Sequence, residues 1–439
     1  MNMRCCCILV TVIALVLLFW SLKPGFLYAW NNTANNAGND TVLQLSKAEN
    51  MALERHPSLE QLRASIKSSR KKEVYTGQWE DPKFSAGLSN APVDTFDPEQ
   101  EPMTQVKLGV EQEIPFPGKL SLKQKLQDKK TQVYRWQLQD LKARLLKEVR
   151  LAWLERLYQK RALQVVSNNL ELFDELISVA ETQYAVGDGL QQDVLLARLE
   201  RDRLLDERMR LQNARQRSNS RLAELTKQMD VKGFNIPEDL PRFELPSSLA
   251  AVSKSLTEHP LIKVQAQKVG QKQAGVDLAE KDYYPDFGVQ ISYGHRRYKD
   301  PSGEQAADFV SGSVKIDLPV FTENRQDKRV ASALEDKRAS RKKMDTVLLE
   351  LKQRARSNWW DLQKLKNRIT LFEGTIVPES RQTVRANMAA YTNGRLDFLD
   401  VVRARIRHFN SKLKLCRLRI DAVKSRVNLV YLAKGGNSK

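Results

Sequence analysis

Cysteine is scarce in this sequence and badly placed for cross-linking: of four, three are the consecutive Cys5, Cys6 and Cys7, and the fourth is Cys416. A disulfide framework is excluded as the source of stability. Aromatic residues make up only 7%, and 19 glycines and 16 prolines in 439 residues are too few for a collagen-like or low-complexity chain. Acids are in the minority, with 53 Asp and Glu against 72 Lys and Arg for a formal charge of +19. Beyond Leu22 no uninterrupted apolar run reaches membrane-helix length, so any further crossing of a bilayer must be made by strands. Enzyme signatures are missing as well: there is no phosphate loop, no nucleophile elbow and no His-Glu-x-x-His. The histidines, His56, His259, His295 and His408, are scattered, and no catalytic, cofactor-binding or metal-holding set is expected.

What is present is a chain that is 41% hydrophobic, too apolar to be disordered. Its start has the form of an export signal: Arg4, an apolar run through Leu22, then Lys23-Pro24-Gly25 and Leu27-Tyr28-Ala29. Residues 1–29 are expected to be removed, with a retained single-span anchor as the alternative.

The remainder is written twice. His56-Pro57 returns as His259-Pro260, 203 residues later, and Asp81-Pro82-Lys83-Phe84 returns as Tyr284-Pro285-Asp286-Phe287 at the same offset. Ile114-Pro115-Phe116 returns as Leu318-Pro319-Val320, and Tyr184-Ala185-Val186-Gly187 with Asp193-Val194 returns as Tyr391-Thr392-Asn393-Gly394 with Asp400-Val401. The expected organisation is a first repeat over 30–228, a Pro-rich linker over 229–250 carrying Pro237, Pro241 and Pro246, a second repeat over 251–433 and a tail over 434–439.

Within each repeat the hydrophobic period changes in the same order. Residues 41–76 have a helical pattern broken near His56-Pro57. Next, Phe84, Ala86 and Leu88, and then Val106, Leu108 and Val110, alternate with polar or small residues as strands do. Phe287 to Tyr293 and Val310 to Leu318 repeat this. After each strand pair comes a long helix with a heptad seam: Leu170, Phe173, Ile177, Ala180 and Tyr184 in one, Leu362, Leu365, Ile369, Phe372 and Ile376 in the other. About 65 residues at 1.5 Å each give a helix of roughly 100 Å. Each is expected to end at a Tyr-x-x-Gly turn, where Gly187 and Gly394 supply a left-handed residue, and to reverse into a second helix of about 40 residues. Pro378 is expected to kink its helix rather than end it. Pro115, Pro117 and Pro319 cannot donate to a sheet ladder and should end strands, with Gly118 permitting the turn into the helix.

Four strands cannot enclose a pore, because bacterial barrels begin at about eight. An open sheet in lipid would leave edge amides unpaired at several kcal/mol each, so a membrane sheet here must close between two or more copies.

The export signal, the duplicated order of helix, strand pair and long hairpin, and the Tyr-x-x-Gly turns followed by Asp-Val resemble the TolC-type outer-membrane efflux proteins over essentially the whole mature chain. Glu113-Ile114-Pro115-Phe116-Pro117-Gly118-Lys119 resembles a subgroup linked to heavy-metal exporters. The resemblance implies a mainly α fold with a small β membrane part. It implies a homotrimer whose twelve strands form one barrel in outer-membrane lipid and whose hairpins form an α-barrel extending into the periplasm. The implied partners are a periplasmic adaptor and an inner-membrane pump of the resistance-nodulation-division type. No cofactor and no nucleic acid is implied, and the activity is passage of solutes.

The resemblance also implies a gate at the periplasmic tip. Asp400 matches an acidic ring position, and Tyr391 and Asp193 match two partners of a closing hydrogen bond. This sequence departs from the pattern where a second ring aspartate would stand, since Arg403 is there, and where a linking arginine would stand, since Leu396 follows Arg395. Asp397 is a substitute acid one turn earlier. With Tyr184, Gly187 and Gly394 these are the expected tip residues; capping of the helix that follows each turn is the alternative role for Asp193 and Asp400.

Two other functions use long helices. A nucleic-acid-binding or scaffolding coiled coil could use Lys337-Arg338 and Arg341-Lys342-Lys343 as a phosphate patch, although acids interleave them. A periplasmic adaptor also uses helical hairpins, but not two in tandem each preceded by strands.

Overall fold

The structure, a computed structural model, describes residues 43–228 and 235–434. The expected export segment lies outside these residues, as do 435–439 of the expected tail and part of the expected linker. The first repeat opens with helices α1 (Leu45–Arg55) and α2 (Pro57–Thr76), followed by strands β1 (Lys83–Ser89) and β2 (Gln105–Ile114). The long hairpin then follows as α3 (Lys119–Ala185) and α4 (Gln191–Thr226). The second repeat gives α5 (Leu249–Ser255), α6 (Pro260–Glu280), β3 (Phe287–Arg296) and β4 (Phe309–Ile316). Its hairpin is α7 (Gln326–Leu371), α8 (Val377–Thr392) and α9 (Phe398–Lys434).

His56 and His259 do more than break a helix. Each stands at the N-cap with proline at the first helical position, and each Nδ1 accepts a hydrogen bond from the backbone N–H two residues on, Ser58 at 3.3 Å and Leu261 at 3.2 Å. Proline has no N–H to leave unsatisfied, so the pair settles two of the orphan positions of a helix start. His259 is buried, and that burial pulls its pKa down to about 4, which keeps the ring neutral and its Nδ1 an acceptor at ordinary pH.

Between α7 and α8 lies a π-helical turn, Phe372–Ile376. Pro378 lacks the N–H that would reach back one turn, and the wider turn makes room for its ring without ending the helix. The pieces of 46, 5 and 16 residues together match the 67 residues of α3. Both hairpins therefore reach the same distance from the sheet.

The helices form a layer in the order α4, α3, α9, with α7 and α8 beyond α9. Its core begins where α1, α2, α3, α4 and α9 meet around Leu59, Trp153, Leu157, Leu222 and Val427. Toward the tips Phe173, Leu176, Val194, Phe398 and Val401 join the two hairpins. At about 1.5–3 kcal/mol for each fully buried large side chain, these clusters hold the layer together. The first seam is well covered, with Leu170, Phe173 and Ala180 buried, but of the second only Leu362 is. Tyr184 is exposed rather than part of a seam. Polar groups also tie the repeats: Tyr431 of α9 donates to Asp140 of α3 at 2.9 Å and stands edge-on to His259.

The four strands form one antiparallel sheet in the order β1-β2-β3-β4, with β2 pairing β3 across the two repeats. Register sorts the side chains cleanly onto two faces. Phe84, Val110 and Ile291 share one row, Ala86, Leu108, Tyr293 and Val310 the next, and Val289 pairs with Val314 on the same face. The opposite face carries Ser85, Glu111, Gln290, Ser292 and Ser313, with Lys83 paired to Glu113 and Lys315 to Glu111 at 2.7 Å. The apolar face is bare: Phe84 is 69% exposed and Ile291 62%. Such a surface is stable against hydrocarbon rather than water. Among the described residues no helix is long and apolar enough to cross a membrane.

Candidate functional site at the hairpin tips and the sheet junction

Both tips are built the same way. In the first, Gly187 takes φ +85° and its N–H bonds the Tyr184 carbonyl at 3.2 Å; in the second, Gly394 takes φ +68° and bonds the Tyr391 carbonyl at 2.9 Å. Any side chain at either position would be strained in this left-handed conformation. Two residues into each following helix segment, the Asp193 N–H reaches the Leu190 carbonyl and the Asp400 N–H reaches that of Asp397.

The structure brings Asp193, Asp397 and Tyr391 within electrostatic reach of one another. Burial, and then the nearby Asp397 carboxylate, push the Asp193 carboxyl up against a backbone hydrogen bond at Leu190. Burial and the Asp193 charge push the Tyr391 phenol up in turn. Within one chain the two are coupled by charge and not by a hydrogen bond; the Tyr391 ring packs on Phe398 instead, with centroids 5.3 Å apart. Asp400 stands apart from this group. Its Oδ1 lies 3.5 Å from the Arg403 guanidinium, and its backbone carbonyl accepts from Asn387 at 3.1 Å. The N-cap of α4 is Leu190, whose own side chain makes no cap, but the Asp193 carboxylate accepts from the Leu190 backbone N–H, so Asp193 caps the helix start by that bond as well as by its charge.

The junction of sheet and helix holds a clamp whose parts lie in both repeats. Gly118 takes φ +92°, which frees the chain to turn from Pro117 into α3. Directly after it, the Lys119 side chain is almost fully buried, and its Nζ meets both carboxylate oxygens of Asp286 at 2.8 and 2.9 Å. The same carboxylate accepts the Phe116 N–H at 2.7 Å, and the Phe116 ring stacks on Tyr284 at 4.5 Å. On the β4 side, Tyr283 bonds Asp327 and Arg329 pairs with Asp282 at 2.5 Å, fixing the start of α7. Pro115 and Pro117 lie immediately after β2, and Pro319 a few residues after β4. Sequence reasoning found the prolines and Gly118 but missed Lys119 and Asp286. The available signal was the alignment of Tyr284-Pro285-Asp286-Phe287 with Asp81-Pro82-Lys83-Phe84, where a lysine gives way to an acid.

Burial alone would raise the Asp286 carboxyl, but the hydrogen bonds from Lys119 and the Phe116 amide more than offset it and hold its pKa low. Its folded value lies below its unfolded one, so its contribution to stability is complete at neutral pH and is lost as pH falls through the folded value. Asp286→Asn is therefore expected to lower the thermal midpoint at pH 7 and to flatten its fall in acid. Thermal scans of both proteins between pH 7 and 3 check this; parallel curves would show that Asp286 contributes nothing through its charge.

Among the described residues no group of three or more His, Cys, Asp or Glu side chains is placed to hold a metal ion. His295 meets Asp308 at 3.1 Å, but without a third such group.

Residues 251–433 match the model of the outer membrane efflux protein family. No curated protein matches the chain. Among solved structures, the outer-membrane channel OprN superposes with a TM-score of 0.77 at 19% identity, covering 90% of each chain. CusC gives 0.76 at 16% identity over 92% of this chain and 96% of its own. VceC from the bacterial pathogen Vibrio cholerae gives 0.73 at 19% identity over 90% and 97%. At these identities the likeness is one of fold, and it extends over both repeats, whereas the family match falls on the second. The second repeat thus carries the match to the outer membrane efflux protein family, and both repeats share the fold of solved outer-membrane channels.

Proposed function

We propose that three copies of this chain form a trans-periplasmic duct of a tripartite efflux system. The duct docks on a periplasmic adaptor and an inner-membrane pump of the resistance-nodulation-division type and exports small toxic solutes, heavy-metal cations among them. The observation that carries the reading is the four-stranded sheet with a lipid-compatible face and two unpaired edges, β1 and β4. Three copies supply twelve strands, and joining each β1 to a neighbour's β4 removes every edge. Imaging of detergent-solubilised protein should show a three-fold tube; a single-copy particle that needs no detergent overturns the duct. The metal cargo rests on the Glu113 to Lys119 motif, so a deletion strain should be sensitised to metals more than to organic toxicants. Equal sensitisation to both removes the metal assignment and leaves the duct.

The tip is proposed as the gate, with Tyr184, Gly187, Gly394 and Tyr391 shaping it and Asp193, Asp397 and Asp400 supplying charge. Under three-fold symmetry each aspartate becomes a ring, and a narrow carboxylate ring attracts cations and is plugged by divalent ones. Arg403 already offsets Asp400, while among the described residues no basic side chain pairs with Asp397. Asp397→Ala is therefore expected to weaken divalent-cation block of the reconstituted channel severalfold and to raise its conductance, and Asp400→Ala to do the same more weakly. Bilayer recordings with unchanged block and conductance in both variants would remove the gate.

A further inference from the structure

The helical layer has two free edges as well as the sheet. In the order α4, α3, α9, α8, the outer helices α4 and α8 each lack a neighbour on one side. On α4 the free side is a seam at heptad spacing, formed by Leu195, Leu199, Asp202, Asp206 and Met209, all exposed. The leucines are 57% and 49% exposed, far more than a finished helix face would leave. Arg203 and Arg210 beside the seam are held by Glu200 and Glu207, and Arg201 is held by Asp174 at 2.5 Å and reaches Asp202 only at 3.7 Å. The seam is thus apolar and acidic. On α8, Arg381 and Arg385 are exposed one turn apart, and no acidic partner meets either among the described residues. Beside them, Val377, Pro378 and Leu415 line a cleft of about 440 Å³ at the π turn.

The two features stand at matching heights. Both hairpins reach equally far from the sheet, and each reverses over five residues, 186–190 and 393–397. Asp202 is the twelfth residue from the start of α4, and Arg381 the twelfth from the end of α8. Each therefore lies about 18 Å from its tip, at 1.5 Å per residue. The helices run antiparallel, so the higher acid, Asp206, faces the higher base, Arg381, and Asp202 faces Arg385, in a register offset by one turn that long arginine side chains span.

We infer that the α4 edge of one copy seats on the α8 edge of the next, with Asp202 and Asp206 meeting Arg381 and Arg385. Met209, the nineteenth residue of α4, then stands level with the cleft between α8 and α9 at Val377 and Leu415. This rests on the duct reading and goes beyond it by giving the helical wall a charge-matched seam. An acidic edge and a basic edge on the same chain make a head-to-tail contact that closes into a ring and repels edges of like sign.

The test uses the full chain in detergent with Cys416→Ser as background. Asp202→Cys combined with Arg381→Cys, treated with a short bismaleimide, should give bands of two- and three-chain mass on denaturing gels; either single variant should not. A complementary experiment reverses charge. Asp202→Arg with Asp206→Arg should raise the non-trimeric fraction about tenfold, as like charges meeting at a contact imply. Adding Arg381→Asp and Arg385→Asp to the same chain should restore the trimer. If the protein is a three-fold tube by imaging but forms no such cross-link, or the reversed chain stays trimeric, the seam is overturned and the duct stands. If no trimer exists in any form, the duct reading falls first. A cross-link within a single chain also overturns the seam.

Discussion

Arginine in place of Ile291 is expected to keep the protein out of the outer membrane. Ile291 sits in the middle of β3, in the row that runs from Phe84 through Val110, and it is 62% exposed on the apolar face. An arginine facing lipid near the bilayer midplane costs about 2–4 kcal/mol. In a closed trimer the cost falls three times at one depth, an amount comparable to the whole stability of many domains, about 5–15 kcal/mol. The neighbouring position provides the control. Gln290 is one residue away and points to the opposite face, in the row of Lys83, Glu111 and Ser313. Gln290→Arg should insert nearly as well as the unaltered protein, because water fills that side. Membrane fractionation of both variants, with protease resistance as a second readout, gives the comparison. Normal insertion of Ile291→Arg together with failure of Gln290→Arg would reverse the faces and place protein, not lipid, against Phe84 and Ile291.

The pattern behind that experiment was legible before any coordinates. A period of two in Phe84 to Leu88 and Val106 to Val110 states which residues share a face, and sheet register adds only which rows align. The long helices were equally plain, since heptad spacing and the absence of proline over scores of residues leave few other conformations. Roles that depend on partners distant in sequence were not legible. Lys119 looks like one of many lysines at a helix start until folding places Asp286, 167 residues away, against it. His56 and His259 were visible as landmarks, but helix capping depends on which ring nitrogen faces the next amide. Both long helices carry a heptad seam in the sequence, yet α7 lies at the rim of the layer and most of its seam is only half covered. Asp400 matched a ring position by resemblance, and Arg403, visible in the sequence one turn on as a departure from that pattern, lies 3.5 Å from it and offsets its charge.

Trp153→Ala should produce the largest loss of stability in the helical part. Trp153 is 2% exposed at the middle of α3, among Leu59, Leu157, Leu222 and Val427. Its indole N–H donates to the Leu43 carbonyl at 3.4 Å, and the Leu43 N–H in turn bonds Asn235 at 2.7 Å. One side chain therefore joins α3 to the approach to α1 and to the chain between the repeats. Truncating a buried aromatic to alanine costs about 3–5 kcal/mol, and the site cannot collapse easily because helices α1, α4 and α9 approach it from different directions. Phe173→Ala near the tips removes a ring of similar burial. It should cost a similar amount in thermal or denaturant unfolding, but it leaves the Leu43 and Asn235 contacts in place. Limited proteolysis separates the two: Trp153→Ala should open residues 43–55 and the stretch after 235 to cleavage, whereas Phe173→Ala should not. Trp153→Phe, which keeps most of the volume and loses only the N–H, should cost about 1 kcal/mol and protect both segments. If Trp153→Ala unfolds within about 1 kcal/mol of the parent protein, a loss that small would be far below the cavity cost. The two repeats would then be held together chiefly by polar links such as Tyr431 to Asp140, and removing that hydroxyl would become the more damaging change.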